Sequence, residues 1–576
     1  METGLESVTP RSSSECDIPP PRQGISRLAP PYAILVALVC LSLLICGGLL
    51  VYGSGRGMDL TDEIFYLVWT RNPDAFALIY QPFGYLLNPL FRLVGGDLQA
   101  YRLAGFAIAA AAGACLACSL SRTRANRALF SLYGAASALT IFFPWIITPS
   151  YNSAANVGAM LVIASILNAF ANRPALRLAG AVGAAAGLCV AAFSKPPLFG
   201  ITLAVMIAAP ILAKRAQAFR VMIAALLLAA VLISALLPPA RIVDLVERMA
   251  ATQHILALTN TPLALPAKLI KDWGSVPPVL SGAVIAALSS LALRRFRWFG
   301  WLGYLAIALS LYHVWDVSAD ALDGYMPDFI GLTLVTIAAG YAGLLRDRWD
   351  FGLPLIGLLL AAPLAVALGT FNNQWAQLNF SMAFPFLAIF VLASADPATW
   401  RRAAALALCV LGPPGLMLLA ACYPYSLPAS IFEQQIAVEH PLTHGSILVD
   451  PETAGFVRSA GRLAPGTLLI DLSGTGPGVN AVLGGRAAVL EWLNPATPSW
   501  PDVVWSRLSA EEREWAWFVG PVWPLFDRSA PARWLAAHRA GYCGRTLPPI
   551  TVWGEERILQ VWRPCNRPAN HPVAPA

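Results

Sequence analysis

Charge is what this sequence has least of. Only 12% of its 576 residues are Asp, Glu, Lys or Arg, about half of what a soluble domain carries. A shortage of that size over this length excludes a soluble globular enzyme, a disordered chain and a fibrous one. Lysine is scarcer still, with Lys195, Lys214, Lys268 and Lys271 as the only four. Long basic runs are missing too. The formal net charge of +7 comes from short arginine clusters, so no nucleic-acid partner is expected.

Apolar residues make up 57% of the chain. A membrane-spanning helix needs about 20 mostly apolar residues. Segments of roughly that length lie at 31–53, 98–120, 127–148, 153–171, 177–194, 196–213, 218–238, 276–293, 298–315, 327–345, 351–370, 378–395 and 402–422. The expected fold is therefore a polytopic α-helical membrane protein with about 13 spans. Backbone polar groups in lipid must be bonded internally, which makes the spans helices. The weakest pair is 177–194 and 196–213, because Ser194-Lys195-Pro196-Pro197 leaves room only for a tight turn.

Arginine and lysine set the orientation. Arg11, Arg22 and Arg27 precede the first span. Alternate loops then carry Arg122/Arg124/Arg127, Arg173/Arg177, Lys214/Arg215/Arg220, Arg294/Arg295/Arg297, Arg346/Arg348 and Arg401/Arg402. The positive-inside rule puts these on the cytoplasmic face. Three units follow: a disordered cytoplasmic tail over 1–30, a transmembrane domain over 31–422, and an outer-side domain over 423–576. The first apolar run is long enough to span, so it is expected to remain as an anchor rather than be cleaved. The last unit alternates strand-like runs (467–470, 550–553, 558–562) with helical stretches (451–463, 510–518, 530–540), as an α/β domain does.

The first outer loop holds the densest chemistry. Met58-Asp59-Leu60-Thr61-Asp62-Glu63-Ile64-Phe65-Tyr66 places three carboxylates within five residues. One reading is a helix start, with Asp59 or Thr61 as the N-cap and acids favoured in the first turn. The other is a general base at the membrane surface. If 62–71 is helical, Glu63 and Tyr66 share a face and Asp62 points about 100° away.

Residues 81–105 continue as QPFGYLLNPLFRLVGGDLQAYRLAG, and Ala191-Ala192-Phe193-Ser194-Lys195-Pro196-Pro197 follows later. In order and spacing these stretches resemble the segments that follow the acidic motif in GT-C superfamily membrane glycosyltransferases. The nearest groups are the protein O-mannosyltransferase-like family and the aminoarabinose lipid A transferases. The resemblance covers roughly residues 55–215 and the general layout; no motif in 220–576 takes part. It implies a sugar donor carried on a polyprenyl phosphate and inversion at the sugar. It implies a general-base role for Asp62, with Glu63 and Asp59 as neighbours. It also implies an acceptor that is a lipid, a glycan or a protein. It places Lys195 as a cation for the donor phosphate, with Gln81 as a further contact and Arg248, Lys268 or Lys271, in the 239–275 loop, as a second phosphate ligand. The expected setting is a bacterial inner membrane, with the N-terminus cytoplasmic and the C-terminus periplasmic.

The sequence also departs from the family pattern. Gln81 stands where the family often has His or Lys before the proline. Pro149-Ser150-Tyr151-Asn152 carries no acid where many members have one. No cofactor is implied. A divalent metal has no ligand spacing to support it, and His313, Trp315, Asp316, Asp320 and Asp323 read as a solvated acidic loop. Ile470-Asp471-Leu472-Ser473-Gly474-Thr475-Gly476-Pro477-Gly478 looks like a phosphate-binding turn but lacks a full G-x-G-x-x-G and a Walker lysine; it reads as a structural strand-to-helix turn. Cys543 and Cys565 flank a predicted hairpin in the outer domain, where an oxidising compartment permits a disulfide. Two rivals share the topology. A flippase or transporter of polyprenyl-linked lipid calls for mid-membrane acids in paired halves, and a polysaccharide polymerase for large, Arg-rich later loops.

Overall fold

A computed structural model describes residues 29–121, 126–255, 265–294, 296–322, 328–345, 353–370, 372–464, 467–487, 489, 500–521, 529–552 and 555–565. Residues 1–28 of the tail read over 1–30, Arg122, Arg124, Arg295, Arg346, Arg348 and Asp323 lie outside these residues, while residues 29 and 30 begin the first helix.

Each of the thirteen apolar segments contains a helix. In chain order the helices are α1 (Ala29–Gly53), α2 (Asp62–Arg71), α3 (Phe83–Leu93), α4 (Leu98–Leu120), α5 (Arg127–Ala138), α6 (Tyr151–Ala169), α7 (Pro174–Ser194), α8 (Pro196–Leu212), α9 (Ala216–Leu236), α10 (Pro239–Ile255), α11 (Leu265–Trp273), α12 (Pro278–Ala292), α13 (Trp301–Leu322), α14 (Ile330–Leu344), α15 (Leu353–Ala367), α16 (Ala383–Ala395) and α17 (Thr399–Cys422). Among the described residues, six helices are long and apolar enough to cross a membrane: α1, α4, α6, α7, α9 and α17. Others are apolar but shorter. The segment read as 127–148 stops being α-helical at Ala138 and continues as a 3-10 turn to Phe142. Pro144 holds Phe143 extended, as a proline does to the residue before it. The tight turn expected between 177–194 and 196–213 is a single residue, Lys195.

Small residues let these helices approach closely, as they do in membranes. At the α4–α5 crossing Gly113 and Gly134 face each other, and a Cβ on either would collide with the other's backbone carbonyl. One large apolar cluster runs through α1, α4, α5, α6, α14, α16 and α17, with Phe142, Phe384, Phe386 and Phe390 at its centre.

Beyond α17 come β1 (Ile436–Glu439), β2 (Ser446–Val449), α18 (Pro451–Ala460), β3 (Leu469–Asp471), α19 (Pro477–Leu483), α20 (Trp500–Arg507), α21 (Ala510–Trp515), β4 (Trp517–Pro521), α22 (Ala530–Ala537), β5 (Tyr542–Thr546), β6 (Ile550–Val552), β7 (Glu555–Arg557) and β8 (Leu559–Pro564). The main sheet has the order β3-β4-β8-β5, with β3 parallel to β4 and the other pairs antiparallel. Cys543 and Cys565 are disulfide-bonded, with Cα atoms 5.1 Å apart, and so join β5 to the end of β8. The stretch read as helical to residue 518 turns into β4 at Trp517.

Three segments read as outer loops from charge alone meet in space. Gly57 N–H donates to Leu448 O at 2.8 Å, and Leu448 N–H to Gly55 O at 3.0 Å, so β2 docks on the loop after α1. Ile79 N–H donates to Thr252 Oγ1 at 2.8 Å, which ties α10 to the same loop. The arginines at the starts of α5, α7 and α17 lie at the opposite helix ends.

Candidate active site

The acidic motif divides its three carboxylates among three tasks. Asp59 caps α2. Its Oδ1 accepts from Thr61 N–H at 2.8 Å and from Thr61 Oγ1 at 2.6 Å, and its Oδ2 accepts from Glu63 N–H at 3.2 Å. Helix starts carry unsatisfied N–H groups, and a carboxylate there meets both the hydrogen-bond and the dipole requirement. Thr61 is the N-cap residue but its side chain makes no cap bond, and the carboxylate of Asp59, two residues upstream, serves the helix start in its place.

Glu63 is committed elsewhere. Its Oε1 is ion-paired with Arg102 Nη2 and accepts from Thr148 Oγ1, while Arg102 Nε donates to it at 3.1 Å. Its Oε2 accepts from Asp59 N–H at 3.1 Å. Arg102 is itself buried near the start of α4 and donates to the carbonyls of Ser54, Arg56 and Gly57 at 2.8, 3.1 and 2.9 Å. One guanidinium thus holds the entire α1–α2 turn. Glu63 serves as its counterion and is not available as a free base.

Asp62 is the carboxylate left over. Tyr66 Oη donates to its Oδ1 at 3.3 Å, and the Tyr425 hydroxyl also reaches it. Tyr66 therefore partners Asp62 rather than Glu63, because i and i+4 stack on one face as readily as i and i+3. Asp59 and Glu63 are buried, whereas the Asp62 side chain keeps part of its surface open. Burial pushes both Asp59 and Asp62 above the usual carboxylate range, and the charge of Asp62 raises Asp59 further. The two titrate as a pair.

An aromatic wall leads away from Asp62. The Tyr66 ring packs edge-on against Tyr151 at 5.5 Å, and Phe83 sits 5.7 Å from Tyr151. The loop before α6 thus brings Tyr151 beside Tyr66, the partner of Asp62. Ser150 and Ser153 form a capping box that starts α6 and sets Tyr151 there. Lys195 is also beside Tyr151, with Nζ 5.2 Å from the ring centroid.

Lys195 is 1% exposed. Its Nζ donates to Val366 O at 2.7 Å, at the C-terminal end of α15, where the helix dipole favours a cation. Among the described residues no carboxylate pairs with it. Burial pulls its pKa down to about 7. Gln81 reaches the same helix end, donating through Nε2 to Gly369 O at 2.9 Å. The structure thus brings Asp62, Lys195 and Gln81 into one region.

Arg248 does not join them as a free cation. It pairs with Asp244 at 2.9 Å and Asp74 at 3.9 Å and donates to Tyr85 Oη at 3.0 Å. Its role is to tie α10 to α3 and the first loop. A guanidinium between two carboxylates has little charge left for a phosphate.

No group of three or more His, Cys, Asp and Glu residues positioned for a metal is present among the described residues. His313 is buried in α13. The Gly-rich segment after β3 leads into α19, and Gly478 N–H donates to Leu60 O at 2.8 Å.

Arg102, Tyr151 and Tyr425 were not assigned roles from the sequence. Arg102 carried a signal: it is the sole charged residue in 98–120, and a charge inside a span marks a buried partner. The tyrosines carried none, because aromatic residues at membrane interfaces are common. No protein-family model matches the chain, and no curated protein matches it.

His440 follows β1 beside the Glu63–Arg102 pair. Its Nδ1 accepts from the N–H groups of Leu442 and Thr443 at 3.3 and 3.2 Å. The ring is buried, and its pKa is pulled down to about 4. The unfolded chain therefore takes up this proton first, and stability is lost as pH falls from about 6.5 towards 4. The contribution is on the order of 3 kcal/mol. Asn at this position keeps an acceptor and does not titrate. Thermal unfolding followed from pH 7 to 4.5 should show a smaller loss in His440→Asn than in the wild type. Equal losses would assign the acid sensitivity elsewhere.

Proposed function

We propose that the chain is a GT-C-type glycosyltransferase of the bacterial inner membrane. It transfers a sugar from a polyprenyl-phosphate donor to a lipid, glycan or protein hydroxyl, with inversion. All thirteen apolar helices belong to its membrane bundle. The acidic loop and the C-terminal domain face the periplasm. The observation that carries this reading is the run of contacts from a half-buried carboxylate, Asp62, through Tyr66 and Tyr151 to Lys195, a buried lysine that no carboxylate pairs with among the described residues.

The chemistry follows from those two groups. Asp62 takes the proton of the acceptor hydroxyl, and its raised pKa makes it a better base than an ordinary carboxylate. The acceptor oxygen attacks the anomeric carbon from the face opposite the phosphate, and the bond from that carbon to the phosphate oxygen breaks. Polyprenyl phosphate leaves with the bonding electrons. The ammonium of Lys195 offsets the charge that accumulates on it, and Gln81 adds a neutral donor. A lysine held near neutrality without a counterion regains its full charge when an anionic phosphate arrives. Two features support the orientation. The arginines at the starts of α5, α7 and α17 lie at the helix ends away from Asp62, and the Cys543–Cys565 disulfide suits an oxidising compartment.

The test is whether purified full-length protein releases polyprenyl phosphate from a panel of radiolabelled polyprenyl-phosphate sugars in the presence of membrane extract as acceptor source. No release from any donor would end this reading. Within it, Lys195→Ala should raise the KM for the donor roughly tenfold to a hundredfold, the range for losing a charged hydrogen bond. A lysine that only fills space would leave donor kinetics unchanged.

A further inference from the structure

The segment that resembled a phosphate-binding turn packs its backbone against the acidic loop at Leu60 and Thr61. Resting on the reading of Asp62 as the base, we propose that the Gly476-Pro477-Gly478 turn is a positioning element of the active site. It sets the backbone of Leu60 and Thr61 and, through it, the carboxylates of Asp59 and Asp62.

The turn is rigid at its base. Asp471 Oδ1, at the end of β3, accepts from Ser473 N–H at 2.8 Å and from Ser473 Oγ at 2.5 Å. The hydroxyls of Ser473 and Thr475 lie 2.5 Å apart. All three side chains are buried. Arg557 Nη1, at the end of β7, donates to Ser473 O at 3.4 Å. A surface turn that served only to reverse the chain would need none of this.

Its tip presses backbone on backbone. Gly478 N–H donates to Leu60 O. A Cβ at residue 478 would fall 2.5 Å from Leu60 Cα, closer than real Cβ contacts come. Gly476 sits at φ +107°, and a Cβ there would fall 3.0 Å from Thr61 Cα. Side chains at either place would displace the Leu60–Thr61 backbone. Thr61 carries the two hydrogen bonds that hold Asp59, and Asp62 is the next residue. A shift at Leu60 is therefore passed to both acids within two residues of the chain. Lys195 and Gln81, by contrast, are fixed on the end of α15, away from this contact.

The prediction separates positioning from folding. In the polyprenyl-phosphate release assay on full-length protein, Gly478→Ala should lower kcat about 100-fold, as a displacement of about 1 Å does, with the donor KM unchanged. Gly455→Ala is the control. It lies in α18 of the same domain, where a Cβ meets nothing within 4 Å, and it should keep full activity. If Gly478→Ala does not fold, Thr475→Ala decides. It unlocks the turn without adding bulk, and kcat should fall about tenfold at unchanged donor KM. Unchanged kcat in the folded variant, or a raised donor KM with kcat intact, overturns the proposal. Asp62→Asn keeps the two failures apart. If it still transfers sugar, the base assignment is wrong. If it is inactive while Gly478→Ala turns over normally, only the positioning role is wrong.

Discussion

Asp62→Asn is expected to reduce sugar transfer by about 10²- to 10⁴-fold, the usual share of general-base catalysis. Asn keeps the size of the side chain and an acceptor for Tyr66, so the change isolates basicity. Donor binding should survive, because Lys195 and Gln81 are untouched. The rate of the wild type should rise with pH as Asp62 loses its proton, with a midpoint above the ordinary carboxylate range because desolvation disfavours its charged form. Tyr66→Phe removes a hydroxyl that favours the charged form of Asp62, so its acid limb should move to higher pH. Release kinetics across pH 4–8 would measure both effects. A loss of only a few-fold in Asp62→Asn would return the motif to a helix cap. Asp59→Asn should act chiefly through the start of α2, since its oxygens are already occupied by Thr61 and Glu63.

The second large effect concerns stability. Arg102→Gln should destabilise the protein by about 3–5 kcal/mol, the cost of leaving a buried charge without its partner. Glu63 would then sit buried without its cation, and the carbonyls of Ser54, Arg56 and Gly57 would lose their donors. Arg102→Lys should recover little, because an ammonium cannot span those acceptors as a planar guanidinium does. The double variant Arg102→Gln/Glu63→Gln should be less destabilised than the single one, since no buried charge remains. Unfolding midpoints of the purified variants in detergent would test this ordering. A single variant with the stability of the wild type would show that the α1–α2 turn does not depend on Arg102.

The two predictions separate functions that look alike in the sequence. Asp62 and Glu63 are adjacent acids in the first turn of one helix. Only the side chains brought from elsewhere in the chain distinguish them. Glu63 meets Arg102 from α4 and Thr148 from the turn before α6. Asp62 meets Tyr66 from its own helix and Tyr425 from beyond α17. Arg248 shows the same dependence in reverse. As a cation in an outer loop it resembled a phosphate ligand, and Asp74 and Asp244 turn it into a structural strut.

Hydrophobic runs determined where the helices of residues 29–422 lie. Lipid leaves a spanning segment little choice but to close its own backbone hydrogen bonds, so helices appear wherever apolar length is sufficient. The strands read at 467–470, 550–553 and 558–562 likewise appear as β3, β6 and β8, because alternation and β-branched residues are local signals. What the chain could not specify locally was the partner of each polar group. The Glu63–Arg102 pair, the proximity of Lys195 to Tyr151 and the docking of Gly478 on Leu60 join residues 39, 44 and 418 positions apart. Such contacts depend on packing between helices and across the C-terminal domain, so only the tertiary structure decided them.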